Sequence, residues 1–233
     1  MPLQNRFAHR LATAGLIVGV FVVLVAPAVA DDAPSPEARL GMLERSLVES
    51  PSVQLDFAVT ATGAVDAELA GSLSLDGDAM RLDATGSFAG REMTLEIRTT
   101  EEGRLIGGYV DAGDSAPRFD VELPAHLREA VAIGFTRMGI LHNLALLAGG
   151  RMPDHADVGI GDWLILDDFA AAEPHGGHGG VMFDLSVGGE PAADDVGLWI
   201  DSRGHPTVRR QVVQFPQGEM RVLETYTEVD LGE

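Results

Sequence analysis

Residues 53–60 read VQLDFAVT, and the alternation of apolar and polar residues that begins there continues as far as Tyr109. It recurs at Met80-Arg-Leu-Asp-Ala84 and at Met93-Thr-Leu-Glu-Ile97. A period of two places alternate side chains on opposite faces of a sheet. One face is then apolar and the other carries Asp, Glu, Arg and Thr, which is typical of an antiparallel sheet with one face in water. The apolar face requires a cover.

Glycine-containing turns divide this region into strands, and Asp76-Gly77-Asp78 is the clearest hairpin signal among them. Alternating segments return after Asp162, with a Gly/His-rich loop predicted at residues 173–180. The predicted strands are residues 53–62, 65–75, 79–88, 91–99, 104–110, 119–123, 162–169, 181–187, 196–201, 206–215 and 219–229.

Two helical segments accompany the strands. Ser35 as N-cap and Pro36 at the first helical position predict a helix that ends before Pro51. A second segment follows Pro124, where apolar residues recur every three or four positions. These residues are Leu127, Val131, Phe135, Met138, Leu141, Leu144 and Leu147. Because two glycines interrupt the stripe, we expect two shorter helices or one kinked helix. This segment is the natural cover for the sheet, and the predicted fold class is α+β.

The first thirty residues are typical of a secretory signal peptide. Arg6 and Arg10 precede an uncharged apolar run that ends in Ala28-Val29-Ala30. We therefore expect cleavage after Ala30, a single domain over residues 31–233, and a periplasmic or secreted protein. An uncleaved membrane anchor is the alternative, since residues 11–30 are about long enough to span a bilayer. The small-x-small site favours cleavage.

The chain is strongly acidic and has no cysteine. Its 36 Asp and Glu residues outnumber 16 Arg residues, for a formal net charge of −20. Such a surface repels nucleic acid and anionic lipid headgroups, and it favours a soluble monomer. Without disulfides the exported chain must be stabilised by its core.

His175-Gly-Gly-His178, with Asp154 and His155 upstream, is the best metal candidate because zinc sites use histidine and carboxylate ligands. No third ligand follows at a recognisable spacing, and a glycine loop ordinarily exposes its histidines. We predict no metal and no cofactor.

Catalytic patterns are weak as well. Gly113-Asp114-Ser115 lacks the Gly-x-Ser-x-Gly motif of a nucleophile elbow. A glycosidase needs two carboxylates across a cleft, whereas Glu92 and Glu96 fall on the polar face of a predicted strand. We predict a protein that is not an enzyme.

The apolar face and its helical cover leave two interpretations open. They form either a packed core or a cavity for an acyl chain, since a curved sheet cannot fill its concave face with its own side chains. Small residues such as Ala84 and Gly86 would leave room, and soft methionines such as Met93 and Met138 suit a pliable lining.

The order of elements resembles the LolA-like periplasmic lipoprotein-carrier superfamily, which includes the LolA, LolB, LppX and RseB types. The residues that carry this resemblance are Leu40, Leu43 and Leu47, the hairpin Leu69-x-Gly71-x-Leu73-x-Leu75 with Met80-Arg81-Leu82, the turn Asp201-Ser-Arg-Gly-His-Pro206, and the strand Val222-x-Glu224-x-Tyr226. The resemblance implies a strongly curved antiparallel sheet, an open half-barrel, with a helical lid over an apolar cavity. It further implies shielding of lipid chains in transit or sensing of exported lipoproteins.

We therefore expect a non-enzymatic protein that binds a lipid or lipoprotein acyl chain between sheet and lid. The expected ligand-binding residues are Leu55, Phe57, Leu73, Leu82 and Leu95 of the sheet and Leu127, Val131, Phe135, Met138, Leu141 and Leu144 of the lid. The alternative is an envelope regulatory or scaffold module that binds a protein partner through the sheet.

Overall fold

Antiparallel pairing joins all the described strands into one sheet. The computed structural model describes residues 33–110, 118–123, 125–142, 160–216 and 218–232. The strands are β1 (Ser52–Gly63), β2 (Ala67–Asp76), β3 (Ala79–Phe88), β4 (Arg91–Thr99), β5 (Arg104–Val110), β6 (Arg118–Glu122), β7 (Leu164–His175), β8 (His178–Val187), β9 (Glu190–Ile200), β10 (Pro206–Phe215) and β11 (Gly218–Asp230). The predicted signal peptide lies outside the described residues.

The spatial order of the strands is β6-β5-β4-β3-β2-β1-β11-β10-β9-β8-β7. Every sequential pair is a hairpin neighbour except β6 and β7, which form the two edges, and the first strand pairs with the last. The sheet is therefore open and antiparallel throughout the part of the chain that the structure describes. Together with the helices below, this confirms the predicted fold class.

The helices are α1 (Pro36–Glu49), α2 (Leu127–Ile133), a π-helix (Gly134–Met138) and α3 (Ile160–Trp163). Ser35 Oγ accepts the Ala38 backbone N–H at 3.1 Å, so α1 begins at the predicted cap. Its apolar side, Leu40, Leu43 and Leu47, is buried. None of the described helices is long and apolar enough to cross a membrane.

The two faces of the sheet differ as the alternation predicts. In β1, Leu55, Phe57 and Val59 are buried, whereas Thr60 and Thr62 are exposed. The face that carries the buried residues is called the inner face here, and the opposite one the outer face. Gly86 and Gly107 have φ +143° and +156°, and a Cβ at either position would lie 2.0–2.1 Å from a carbonyl oxygen of the neighbouring strand, so both positions require glycine.

Three predicted boundaries in the last third of the chain are wrong. The predicted loop at 173–180 is a two-residue turn, because His175 pairs directly with His178 across Gly176-Gly177. Both glycines have positive φ, which lets so short a turn join two long strands. In addition, β9 begins at Glu190 rather than at residue 196, and its first half includes the exposed Asp194 and Asp195, which hide the apolar pattern of a strand. The strand predicted at 162–169 starts at Leu164, after α3.

Candidate functional site

The predicted ligand-binding residues belong to the inner face of the sheet and to the helical segment that begins at Leu127. Those of the sheet, Leu55, Phe57, Leu73, Leu82 and Leu95, are all buried on the inner face. Of the helical set, Leu127, Phe135, Met138 and Leu141 are buried and Val131 is half-buried. Leu144 lies outside the described residues. The helical segment from Leu127 to His142 is called the lid from here on.

Sheet and lid are in direct contact. Among the described residues, a cavity of about 10 Å³ lies between them. It is lined by four of the predicted residues, Leu55, Leu73, Val131 and Phe135, together with Leu47, Val53, Leu75 and Ala132. A cavity of this size holds at most about one water molecule. Around this cavity the lid therefore packs on the inner face without room for an acyl chain.

Charged residues that the sequence analysis did not select lie beneath the lid. Arg209 of β10 and Glu224 of β11 are directly paired across the strands, and both side chains are fully buried. Arg209 Nη1 lies 3.9 Å from Glu224 Oε2. Their neighbours in the same cross-strand row are Val59 of β1 and Leu198 of β9, so the pair is set in an apolar surface.

Arg209 binds the end of the π-helix. Its Nε donates to the Thr136 carbonyl at 3.2 Å and its Nη2 to the Arg137 carbonyl at 2.5 Å. Nη2 also donates to Gln211 Oε1 at 2.7 Å. The last carbonyls of a helix have no partner within it and carry partial negative charge, so a cation stabilises them.

Glu224 binds the chain just beyond that end. Its Oε1 accepts the Leu141 backbone N–H at 3.0 Å, and its Oε2 accepts the Tyr226 hydroxyl at 2.5 Å. Residues 140–142 are again helical, so this N–H belongs to the start of a new turn, where an anion is favourable. One buried ion pair thus satisfies the end of one helical turn and the start of the next.

Gly139 separates the two turns, at the place where the sequence predicts an interruption. Its φ is +84°, and a Cβ built on it would lie 2.3 Å from Arg209 Nη1 and 2.6 Å from Glu224 Oε1. The left-handed conformation and the close approach of the ion pair both require glycine there.

A second ion pair joins the lid to α1. Glu44 accepts Arg137 Nε and Nη2, both at 2.8 Å, and also the Thr136 hydroxyl at 2.9 Å. Arg137 Nη1 donates to the Leu164 carbonyl at the start of β7. The pair is only partly exposed, with 17% of the Arg137 side chain and 13% of the Glu44 side chain accessible. Arg137 therefore ties the lid to α1 and to the sheet.

Tyr226 completes the buried cluster. Its ring lies 4.5 Å from that of Phe135, centroid to centroid, at an interplanar angle of 53°. Burial, and then the negative charge of Glu224, raise the pKa of Tyr226 well above its usual value. The phenol therefore stays protonated and donates to the carboxylate. The sequence carried a signal for this arrangement, since a period of two places Glu224 on the same face as Val222 and Tyr226.

The histidine candidates do not assemble a metal site in the part of the chain that the structure describes. No three His, Cys, Asp or Glu residues there are grouped as a metal ion requires. His175 instead packs on Trp199, with ring centroids 5.5 Å apart. Asp154 and His155 lie outside the described residues.

No protein-family model matches the sequence, and no curated protein matches it. The chain is similar to a solved LolA superfamily protein from Nitrosomonas europaea, at 10% identity and a TM-score of 0.34, with 86% of this chain and 95% of that chain covered. It is also similar to MucB, solved in complex with MucA(peri), at 13% identity and a TM-score of 0.38. That match covers 85% of this chain but only 56% of the MucB chain. The first structure belongs by name to the superfamily that the sequence resembles, and the open antiparallel sheet under a helical lid is the architecture expected from that resemblance. Both TM-scores are below 0.5, so the function of this chain is inferred from its own residues.

Proposed function

We propose that this protein is an exported, non-enzymatic, monomeric binder of an acyl chain, taken from a lipid or a lipoprotein. The ligand lies between the inner face and the lid, in contact with the predicted apolar residues. In the described part of the chain, the cavity of about 10 Å³ between sheet and lid accommodates no acyl chain, so we take the described conformation as a closed one. Binding requires the lid to move away from the sheet.

One observation carries this proposal: the lid is held on an apolar surface by a buried ion pair. Arg209 and Glu224 are fully buried beneath it. A buried ion pair stabilises a fold no better than apolar side chains of the same volume, because both charges lose their hydration. It does fix one arrangement, since both charges need their hydrogen-bond partners. Such contacts specify where the lid closes while adding little to the free energy that holds it there.

The free energy for opening the lid comes from burial of the ligand. Burial of each methylene group contributes about 0.8 kcal/mol, so an acyl chain of about 15 methylenes contributes roughly 12 kcal/mol. Opening leaves Arg209 and Glu224 opposite each other on the sheet, and it exposes apolar side chains of the lid. An acyl chain takes over the lid's apolar contacts on the inner face, and its burial offsets that exposure.

The proposal is tested first by native mass spectrometry of protein purified from the cell envelope. We expect a co-purified species with the mass of a lipid or an acylated peptide. A delipidated sample should then bind a fluorescent fatty acid saturably. A purely apo mass together with no saturable binding of the fatty acid would overturn the proposal.

The role of the lid is tested with Glu44→Gln, which weakens the contact between the lid and α1. We expect faster uptake of the fluorescent fatty acid than in the wild type, because the lid opens more often. The matched control is Glu37→Gln, an exposed glutamate in the first turn of the same helix. Equal uptake rates in the two variants would exclude lid opening as the limiting step.

A second candidate function is docking of a protein partner on the edge strand β7. Ile165 of that strand is 42% exposed. An unpaired edge can receive a further strand from a partner. Against this, β7 carries Asp167, Asp168 at φ +51° and Pro174, which are features that discourage edge pairing. Ile165→Lys should abolish partner binding through this edge and leave fatty-acid binding unchanged.

A further inference from the structure

A groove of about 600 Å³ crosses the outer face of the sheet, on the side opposite the lid. It is lined by Thr60, Thr62, Met182, Asp195, Arg210, Gln211, Val212, Arg221, Val222 and Leu223. These residues come from β1, β11, β10, β9 and β8, which are consecutive in the sheet. The volume is within the range of small-molecule sites, about 300–1,000 Å³.

In the centre of this groove, the strand register makes charged and aliphatic side chains alternate. Arg210 of β10 lies directly opposite Leu223 of β11, and Val212 lies opposite Arg221. The two arginines therefore occupy one diagonal and the two aliphatic residues the other. Diagonal neighbours on adjacent strands are about 7–8 Å apart. Two cations and an apolar patch thus meet within the reach of one small molecule.

The two arginines of the groove differ in whether a carboxylate is paired with them. Arg221 pairs with Glu219 at 2.6 Å, whereas Arg210 forms no ion pair within the described residues. The guanidinium of Arg210 lies over Trp199 instead, 4.7 Å from the ring centroid. Stacking of this kind leaves the N–H groups of the guanidinium edge available to an acceptor. Asp195 is the sole carboxylate among the lining residues named above.

The apolar half of the groove is exposed to an unusual degree. Leu223 is 43% accessible, and it is one of three large apolar residues with such exposure among the described residues. Its cross-strand neighbour on the other side is Thr60, whose hydroxyl can donate or accept a hydrogen bond. Leu223 therefore offers apolar surface between a cation and a hydroxyl group.

We propose that this groove binds an amphiphilic anion, a molecule with one carboxylate or phosphate group and an apolar body. Arg210 receives the anionic group with help from Arg221 and the threonine hydroxyls, while Leu223 and Val212 contact the apolar body. The site is separate from the cavity under the lid, because Arg210, Val212, Arg221 and Leu223 lie on the outer face of the sheet. It extends the proposed function with a second, polar-headed ligand.

The net charge of the protein and the pairing of its strands limit the kind of ligand that the groove can bind. The formal net charge of −20 repels an anionic bilayer, so the ligand is a free amphiphile in solution rather than a headgroup in a membrane. A peptide cannot add to the sheet as a strand here, because β10 and β11 each pair with a neighbour on both sides. Only side chains are available for recognition, which suits a small ligand.

The fluorescence of Trp199 can report ligand binding in the groove. It is 2% exposed on the outer face, and its indole N–H donates to the Glu173 carbonyl at 2.8 Å. The chain has two tryptophans, so Trp163→Phe leaves Trp199 as the only one. A ligand bound at Arg210 should change the fluorescence of that indole, and calorimetry measures the affinity independently.

The experiment titrates the Trp163→Phe protein with decyl phosphate below its micelle concentration. We expect saturable heat and a saturable change in Trp199 fluorescence, with little response to the neutral decyl maltoside. Arg210→Gln should weaken binding at least tenfold, and Arg221→Gln should weaken it less because Arg221 is already paired. The control Arg81→Gln removes an equal charge from the same face, four strands from β10.

Four results would overturn the proposal. The first is the absence of saturable binding to the Trp163→Phe protein, and the second is an equal loss of affinity in Arg210→Gln and Arg81→Gln. The third is binding of decyl phosphate that Glu44→Gln alters and Arg210→Gln does not, because the probe would then occupy the space under the lid. The fourth is binding to phosphatidylglycerol vesicles with no binding of free decyl phosphate, because the ligand would then be a membrane headgroup. Circular dichroism confirms that each variant is folded.

Discussion

Arg209 and Glu224 lie directly opposite each other on β10 and β11, and from these positions each binds one of the two helix ends that meet at the kink in the lid. Arg209 binds the carbonyls of Thr136 and Arg137, whereas Glu224 binds the N–H of Leu141. The charges match the partial charges of the two helix ends. The lid is therefore positioned by electrostatic complementarity to one ion pair as well as by apolar packing.

Arg209→Met should destabilise the protein by about 3–5 kcal/mol, because Glu224 would remain buried without its cation. Urea unfolding monitored by circular dichroism measures the change. In Arg209→Met/Glu224→Gln the loss should be smaller than the sum of the two single losses, since no unpaired charge remains.

The matched control is Arg203→Met. Arg203 pairs with Asp201 in a turn, with 69% of its side chain accessible, and such pairs contribute about 0–1 kcal/mol. An equal loss of stability in Arg203→Met and Arg209→Met would show that burial of the inner pair has no energetic consequence.

Gly139→Ala should destabilise the protein by more than the strain of its backbone alone. A non-glycine residue in a left-handed conformation costs about 1–3 kcal/mol. At Gly139 the new Cβ also lies 2.3 Å from Arg209 Nη1, so the ion pair must move. Gly90→Ala is the control, because Gly90 has φ +75° and no atom within 4 Å of its Cβ position. Equal melting temperatures for the two variants would contradict the close contact.

Alkaline pH should destabilise the protein through Tyr226. Its pKa is raised in the folded state by burial and by Glu224, whereas the unfolded phenol titrates near about 10. Below pH 10 both states hold the proton and stability is unaffected. Above pH 10 the unfolded state loses its proton first, so the free energy of unfolding falls as pH rises. Urea midpoints between pH 8 and pH 11 should show this fall.

Tyr226→Phe should remove that part of the pH dependence, although it also removes a buried hydrogen bond and lowers stability at neutral pH. The control is Tyr109→Phe, the other tyrosine of the chain. A steep alkaline fall that persists in Tyr226→Phe would assign the effect to another group.

Much of the sheet was predictable because local chemistry sets its turns. Strands 79–88, 91–99, 104–110 and 206–215 coincide with the observed β3, β4, β5 and β10. In each case a turn rich in glycine or aspartate marks a limit, and in β3 and β4 a strict alternation of apolar and polar residues spans the strand. The predicted start of β9 was wrong. Asp194 and Asp195 lie at a bulge in this strand, and Asp195 has φ +53°. A bulge breaks the period of two, and tertiary pairing maintains the strand there instead.

The buried charges were harder to predict for a physical reason. An arginine among polar residues is ordinarily assigned to the solvent-exposed outer face of a sheet. Arg209 is followed directly by Arg210, so the sequence does not show which of the two points inward. Only the register shows that Arg209 faces Glu224 inside while Arg210 faces Leu223 outside. Partners more than ten residues apart cannot be assigned from local pattern, and the same holds for Glu44 and Arg137.

Arg137→Gln should loosen the lid selectively. Arg137 donates to Glu44 and to the Leu164 carbonyl, and hydrogen bonds to charged groups contribute about 1.5–3 kcal/mol. Amide hydrogen exchange of residues 127–141 should therefore accelerate about ten- to a hundredfold. Exchange in β1 and β2 should remain unchanged, because local opening leaves the sheet intact.

The control for this experiment is Arg45→Gln, an exposed arginine one residue from Glu44 on α1. It changes the net charge equally, and among the described residues no hydrogen bond or ion pair joins Arg45 to the lid. If Arg137→Gln accelerated exchange equally in the lid and in β1 and β2, lid and sheet would unfold as one cooperative unit. A ligand could not then enter by displacing the lid alone, and acyl-chain binding would have to use a different surface.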